Sequence, residues 1–206
     1  LEVRTMDEMA DAIRRLAVRG APALGVAGAY GLVLGLQDAR SLGTADFLAR
    51  TRERAARLAA ARPTAVNLPA AIARSVRRAE REAGARKPGS EILRALLDEA
   101  RALESSERAA CERMGELGAA LIRDGAGVLT HCNAGALCTV GIGTALAPLY
   151  VAARQGKHLR VFADETRPLF QGARLTAWEL GRGGLDVPVI IDGAAASVLR
   201  AGGVQA

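Results

Sequence analysis

The sequence predicts an α/β protein in two parts: a helical N-terminal domain over residues 1–125 and a parallel α/β domain over residues 126–206. Two observations carry this prediction. Up to Arg123 the apolar residues recur at helical spacing. After Asp124-Gly125 the pattern changes to short apolar runs, GVLT, LRVFA and VPVII, separated by helix-length segments. Strands that alternate with helices read as a parallel sheet built from strand–helix–strand units. A chain of 206 residues, 50% hydrophobic but only 3% aromatic and rich in Ala, Leu and Arg, has enough apolar mass for such a core and favours helix.

In the first part, Thr5-Met-Asp-Glu8 reads as a capping box, with Met6, Met9, Ala10, Ile13, Leu16 and Ala17 on one apolar face behind it. Arg19-Gly20-Ala21 breaks that helix, and Pro22 suits the first turn of the next, where its missing N–H has no helical partner. Gly25, Gly28, Gly31 and Gly35 lie close to one face of this second helix. Glycine weakens a helix, so close backbone packing against another element is expected there. A third helix is expected over about 46–61, then a loop over 62–69, and a fourth helix to about Glu82. Gly84–Gly89 reads as a linker and 90–123 as a long helix.

The second part reads as strand 127–131, helix 139–155, strand 159–163, helix 173–182, strand 187–191 and helix 194–201, a Rossmann-like order. In open α/β sheets ligands sit beyond the carboxyl ends of the strands. His131-Cys132-Asn133, Asp164-Glu165-Thr166-Arg167 and Asp192-Gly193 occupy those ends, and a helix after Asn133-Ala-Gly135 is expected to aim its first amides at an anion. Cys132 is the main candidate for chemistry, because a thiol at a strand end can handle a proton or attack. Cys138 and Cys111 read as buried helix residues. Gly141-Ile-Gly143 with Asp164 downstream imitates a dinucleotide fingerprint, but Leu146 stands where the third glycine belongs and the glycines are expected inside a helix. Arg19-Gly20-Ala21-Pro22 combines a cation with the opening amides of a helix, a combination suited to phosphate.

The net charge of +6 comes from arginines scattered among glutamates, the pattern of solvated helix faces, and no basic block is interleaved with aromatics. Nucleic acid is therefore not an expected partner. The uncharged run 21–36 is too short and glycine-rich for a membrane span. Three cysteines without a Cys-x-x-Cys pair, and two histidines, predict reduced thiols in the cytoplasm and no metal site.

Four separated segments, VRGAPALGVAGAYG (18–31), RPTAVNL (62–68), LTHCNAGAL (129–137) and ADETRPLFQGARLTAWEL (163–180), together resemble the methylthioribose-1-phosphate isomerase family. That family belongs to a wider group with regulatory subunits of the translation initiation guanine-nucleotide exchange factor. The resemblance implies interconversion of 5-methylthioribose 1-phosphate and 5-methylthioribulose 1-phosphate in methionine salvage, by a cytoplasmic homodimer without metal or other cofactor. It implies substrate binding by Arg19, Gly20, Ala21, Arg62 and Gln171 and a catalytic role for Cys132. The family continues into a strand bearing Gly-Ala-Asp-Arg, whose aspartate is the acid/base partner, and an Asn-Lys pair. Neither follows Asp192-Gly193, so the chain is expected to be a fragment, with a sheet truncated at the C-terminus and apolar edge exposed. The alternatives are a non-catalytic regulatory relative and an isomerase of another pentose phosphate, such as ribose 1,5-bisphosphate.

Overall fold

The computed structural model describes residues 1–206, which form two compact units, Leu1–Glu107 and Arg108–Ala206. The first unit is all helical. Helix α1 (Met6–Arg14) opens with the expected capping box: Thr5 Oγ1 accepts from the Glu8 amide, and the Glu8 side chain accepts from the Thr5 amide. It stops short of the expected Ala17, because Leu16 turns into the left-handed region (φ 62°). Helix α2 (Ala21–Gly35) is apolar on all sides and is the buried axis of the unit. Its glycine face is where the neighbouring helices close in. A Cβ on Gly28 would stand 2.5 Å from Leu68 of α4 (Asn67–Gly84), and one on Gly31 would stand 2.8 Å from Met9 of α1. Helix α3 (Thr44–Ala59) adds Phe47 and Leu58, both fully buried, to a core completed by Ile13, Leu24, Leu32, Leu36 and Leu68.

The loop expected over 62–69 is shorter than expected, since Asn67, Leu68 and Pro69 already form the first turn of α4, where proline costs no helical hydrogen bond. Helix α5 (Gly89–Ala119) follows, and the boundary between the compact units falls within it rather than near Gly125. The sequence marks where strands begin. Packing assigns the helical residues before them to the second unit: Gly115 and Gly118 take Val151 and Pro148 of α6 (Ala147–Arg154) against their bare faces.

The second unit carries a three-stranded parallel sheet in the order β1 (Gly127–Thr130), β2 (Arg160–Asp164), β3 (Val189–Ile190). Thr130 pairs with Ala163, and Asp164 with Ile190, so the three carboxyl ends lie side by side. Val128, Val161, Leu146, Leu149, Leu159 and Leu180 form the core beneath them. A π turn (Gly172–Thr176) leads into α7 (Ala177–Arg182), and α8 (Ala195–Arg200) closes the element order.

Two expectations need correction here. Residues 139–146 are irregular instead of opening a helix, and α6 begins only at Ala147; Gly143 has φ 103°, and Gly141 packs on Cys111. The free edge of β1 is also partly paired. Leu129 donates its amide to the Ala206 carbonyl at 2.8 Å, and Gln205 donates its own to Gly127 at 2.9 Å. At β3, Val189 and the following Ile191 are exposed.

Candidate functional site

The site residues of the second unit sit where the backbone leaves the sheet. Beyond Thr130, Cys132 takes a left-handed conformation (φ 64°), which costs a residue with a Cβ roughly 1–2 kcal/mol. Its peptide groups are held on both sides. The Cys132 amide donates to Thr166 Oγ1 at 2.8 Å, and the Thr166 hydroxyl donates onward to the Asp164 carbonyl at 3.1 Å. The Cys132 carbonyl accepts from the Thr176 hydroxyl at 2.5 Å, which in turn accepts from Asn133 Nδ2 at 3.2 Å.

Thr166 follows β2 and is itself left-handed (φ 62°), rare for a β-branched residue. Asp192, beyond β3, secures it: its two oxygens accept the Thr166 and Arg167 amides, each at 2.8 Å. The Arg167 amide first, then that of Thr166, holds the Asp192 carboxyl below its usual range. The end of β3 thus fixes the end of β2, which fixes the end of β1. His131 Nδ1 lies 3.0 Å from Asp164 Oδ2, an arrangement in which Nδ1 carries the donated proton. One ligand atom each from His131, Asp164 and Asp192 lie within 4.8 Å of one another, near enough in principle for a small cation. Both Asp192 oxygens and Asp164 Oδ2 are already engaged by the partners named above.

The expected anion-binding amides after Gly135 are not directed at a ligand. Residues 136–138 form a single 3-10 turn, and the Leu137 amide donates to buried Glu179 at 3.0 Å. Burial pushes the Glu179 carboxyl up, against the downward pull of the Leu137 amide, Asn133 and the Ala136 amide. Cys138 ends this turn, outside any α-helix, and its thiol donates to the Gly135 carbonyl. Three buried acceptor atoms in these loops have no hydrogen-bond partner: Asn133 Oδ1, Asp164 Oδ1 and Gln171 Oε1.

Arg19, Gly20, Ala21 and Arg62 belong to the first unit. Gly20 precedes α2 with φ 86°, and no side chain caps the helix there, leaving its first amides without a side-chain acceptor. Arg19 Nε is buried without a partner. Gly25, in the first turns of α2, rests on Asn67 at the start of α4, the helix that follows the Arg62 loop.

Residues 17–206 match the Initiation factor 2 subunit family, IF-2B. The chain belongs to this family. It is 57% identical over 197 residues to a methylthioribose-1-phosphate isomerase of Gemmatimonas aurantiaca, covering 96% of the chain and 56% of that relative. It is 51% identical over 203 residues to a 5-deoxyribose 1-phosphate isomerase of Moorella thermoacetica, covering 98% of the chain and 57% of that relative. The crystal structure of 5-methylthioribose 1-phosphate isomerase from Pyrococcus horikoshii superposes with a TM-score of 0.90 at 39% identity, covering 98% of this chain and 56% of that one. The chain therefore spans somewhat over half the length of these IF-2B relatives.

Sequence reasoning placed Thr166 at a strand end but missed its bond to Cys132, and it missed Thr176 and Glu179 of this IF-2B chain. All three lie in the segment 163–180, but a hydroxyl or carboxylate bonded to backbone 34 to 44 residues away leaves no periodic signal. The glycine at 135 was a usable signal. A Cβ there would fall 1.3 Å from Glu179 Oε1, so a carboxylate lies against that backbone.

Proposed function

We propose that the protein is an aldose–ketose isomerase acting on 5-methylthioribose 1-phosphate, with Cys132 as a catalytic residue. The observation that supports this most directly is the conformation of Cys132: a reactive residue held left-handed at a strand end by hydrogen bonds to both of its peptide groups. Non-glycine residues in this conformation gather at active sites, where the surrounding structure enforces them. The 57% identical relative named for this activity supports the same reading.

The chemistry follows from the functional groups. The C1–O4 ring bond breaks as O4 takes up a proton; a proton leaves C2 to give an enol phosphate, and a proton is returned at C1 as the C2 hydroxyl gives up its own and becomes a ketone. A thiol can serve as the acid or the base for such a transfer. We assign Cys132 one of these proton-handling roles. Arg19 and Arg62, with the Gly20 and Ala21 amides, bind the phosphate, and Gln171 binds the sugar. The buried, unpartnered Arg19 Nε and Gln171 Oε1 are the groups such a ligand would satisfy. We read the protein as a cytoplasmic homodimer; none of its cysteines is in a disulfide, and no helix is long and apolar enough to cross a membrane.

A second reading, that the preferred substrate is 5-deoxyribose 1-phosphate, is favoured by the 51% identical relative so named. The two sugars differ only in the substituent on C5, so one experiment tests both. The whole protein is assayed for ketose formation from each sugar phosphate, and kcat/KM decides between them. Cys132→Ser should lose most of kcat while retaining the fold, and Cys138→Ser should not. Turnover of neither sugar by the wild type, or normal kcat in Cys132→Ser, refutes the assignment.

A further inference from the structure

We infer that Thr166 and Thr176 are positioning residues for Cys132, a proposal that rests on the catalytic reading of that cysteine. Neither needs to touch the substrate. Each hydroxyl holds one side of the left-handed Cys132 residue, Thr166 through the amide N–H and Thr176 through the carbonyl O. With both backbone groups fixed, the direction of the Cys132 Cα–Cβ bond is fixed too.

The direction of each bond makes the hydroxyls specific. The Thr166 oxygen accepts from the Cys132 amide because its own proton goes to the Asp164 carbonyl. The Thr176 oxygen accepts from Asn133 Nδ2 while its proton goes to the Cys132 carbonyl. Each hydroxyl therefore uses both its donor and an acceptor site, which a methyl group cannot do. Both residues are buried, Thr176 completely, so water cannot readily replace them. The clamp is anchored in turn. Asp192 accepts the Thr166 and Arg167 amides, and the π turn that carries Thr176 seats Gly172 directly on the end of β2.

The neighbouring left-handed residues fit this assignment. A residue with a Cβ does not remain at positive φ unless its surroundings hold it there. Cys132 and Thr166 both lie at positive φ, and each has its amide bonded to a side chain from another strand end. Released from the two threonines, the Cys132 segment would relax toward an ordinary conformation. The thiol would then move by an amount that matters for proton transfer, since a misplacement of about 1 Å can cost about 100-fold in rate.

The test uses the whole protein and steady-state turnover of 5-methylthioribose 1-phosphate or, should it be the better substrate, 5-deoxyribose 1-phosphate. Thr166→Val and Thr176→Val should each lower kcat by about 30- to 100-fold and leave KM within about threefold. Thr166→Ser and Thr176→Ser, which keep the hydroxyl, should restore kcat to within about threefold. In a Cys132→Ser background, which should retain a residual turnover, neither valine substitution should cause a further loss, because a residue that acts only through Cys132 has nothing left to position. A purely structural role would instead lower both backgrounds alike. Thermal melting above the assay temperature qualifies each variant; should one valine variant not fold, the other decides, since the two hydroxyls hold opposite sides of Cys132. The clamp is overturned if Cys132→Ser loses turnover while a folded valine variant keeps it. It is equally overturned if the serine variants fall as far as the valine variants, or if the losses add in the double variants. Normal turnover in Cys132→Ser overturns the catalytic reading of the cysteine itself, and the clamp with it.

Discussion

Replacing Gly135 by alanine isolates the interaction that shapes the loop after Cys132. Gly135 has φ −102° and ψ −159°, a conformation open to any residue, so the reason for glycine here is space. An added Cβ would stand 1.3 Å from Glu179 Oε1 and 2.3 Å from its Cδ, so the carboxylate must leave. The carboxylate sits at the end of a flexible side chain and can swing away. The cost is the hydrogen bonds it abandons, those from the Leu137 amide at 3.0 Å and from Asn133 Nδ2 at 3.4 Å. Two bonds to a charged acceptor, at roughly 1.5–3 kcal/mol each, sum to roughly 3–6 kcal/mol. Solvating a carboxylate that burial disfavours gives part of this back, so the lower end, about 3 kcal/mol, is expected. The control is Gly181→Ala in α7 of the same unit: nothing lies within 4 Å of its added Cβ, and alanine there should be neutral or stabilising by up to about 1 kcal/mol. Urea denaturation followed by circular dichroism measures both. A Gly135→Ala protein within about 0.5 kcal/mol of wild type would refute the reasoning and leave Glu179 without its assigned role.

Three further outcomes are expected. Gly172→Ala places a Cβ 1.7 Å from the Asp164 carbonyl oxygen, which belongs to backbone and cannot swing aside, so this variant should be more damaging than Gly135→Ala; equal or higher melting temperature would refute it. Glu179 has a folded-state pKa above its ordinary 4.5, so its contribution to stability is fully present below about pH 4.5 and is lost as pH rises through the raised value. The stability of Glu179→Gln relative to wild type should therefore improve between pH 4 and pH 8, and a difference that stays flat or falls would contradict the burial argument. In the whole protein Arg62→Ala should raise KM for the sugar phosphate by about 10- to 100-fold with a smaller effect on kcat, matching one charged hydrogen bond; a KM within twofold of wild type would remove Arg62 from phosphate binding.

Local signals in the sequence located most elements. Thr5 and Glu8 form the capping box, Pro22 opens α2, and the α2 glycines are spaced for close helix packing, because each of these acts within one or two helical turns. The strand ends were legible for the same reason, as polar residues directly after apolar runs. The stretch 139–146 was misread because its apolar residues fit a helical face, while Gly141 and Gly143 argued for a break. The latter signal prevails: Gly143, at φ 103°, packs against Gly135 too closely for any side chain. The π turn at 172–176 was not legible at all, because the bond that defines it, from the Ala177 amide to the Gly172 carbonyl, differs from an α turn by one residue of register. Cys132 was legible as a reactive type in the right place. Its left-handed backbone was not, since what enforces it comes from Thr166 and Thr176 on later elements.

The groups left without partners divide by chemistry, and the division bears on how a sugar phosphate would be recognised. In the second unit the unpartnered buried atoms, Asn133 Oδ1, Asp164 Oδ1 and Gln171 Oε1, are all acceptors. A phosphate dianion offers acceptors only, so these atoms cannot bind it; a sugar hydroxyl, which donates, can satisfy them. The Leu137 amide, which could have held an anion there, is bonded to Glu179, a carboxylate that would itself repel a phosphate. In the first unit the corresponding atom is a donor, Arg19 Nε, beside the uncapped start of α2. On the function proposed above, hydroxyl recognition belongs to the strand ends around Cys132 and phosphate recognition to the Arg19 segment. Removing the acceptor in Gln171→Leu should then weaken sugar binding without affecting inhibition by inorganic phosphate, whereas Arg19→Ala should weaken both. Equal loss of phosphate inhibition in the two variants would show that the division is wrong.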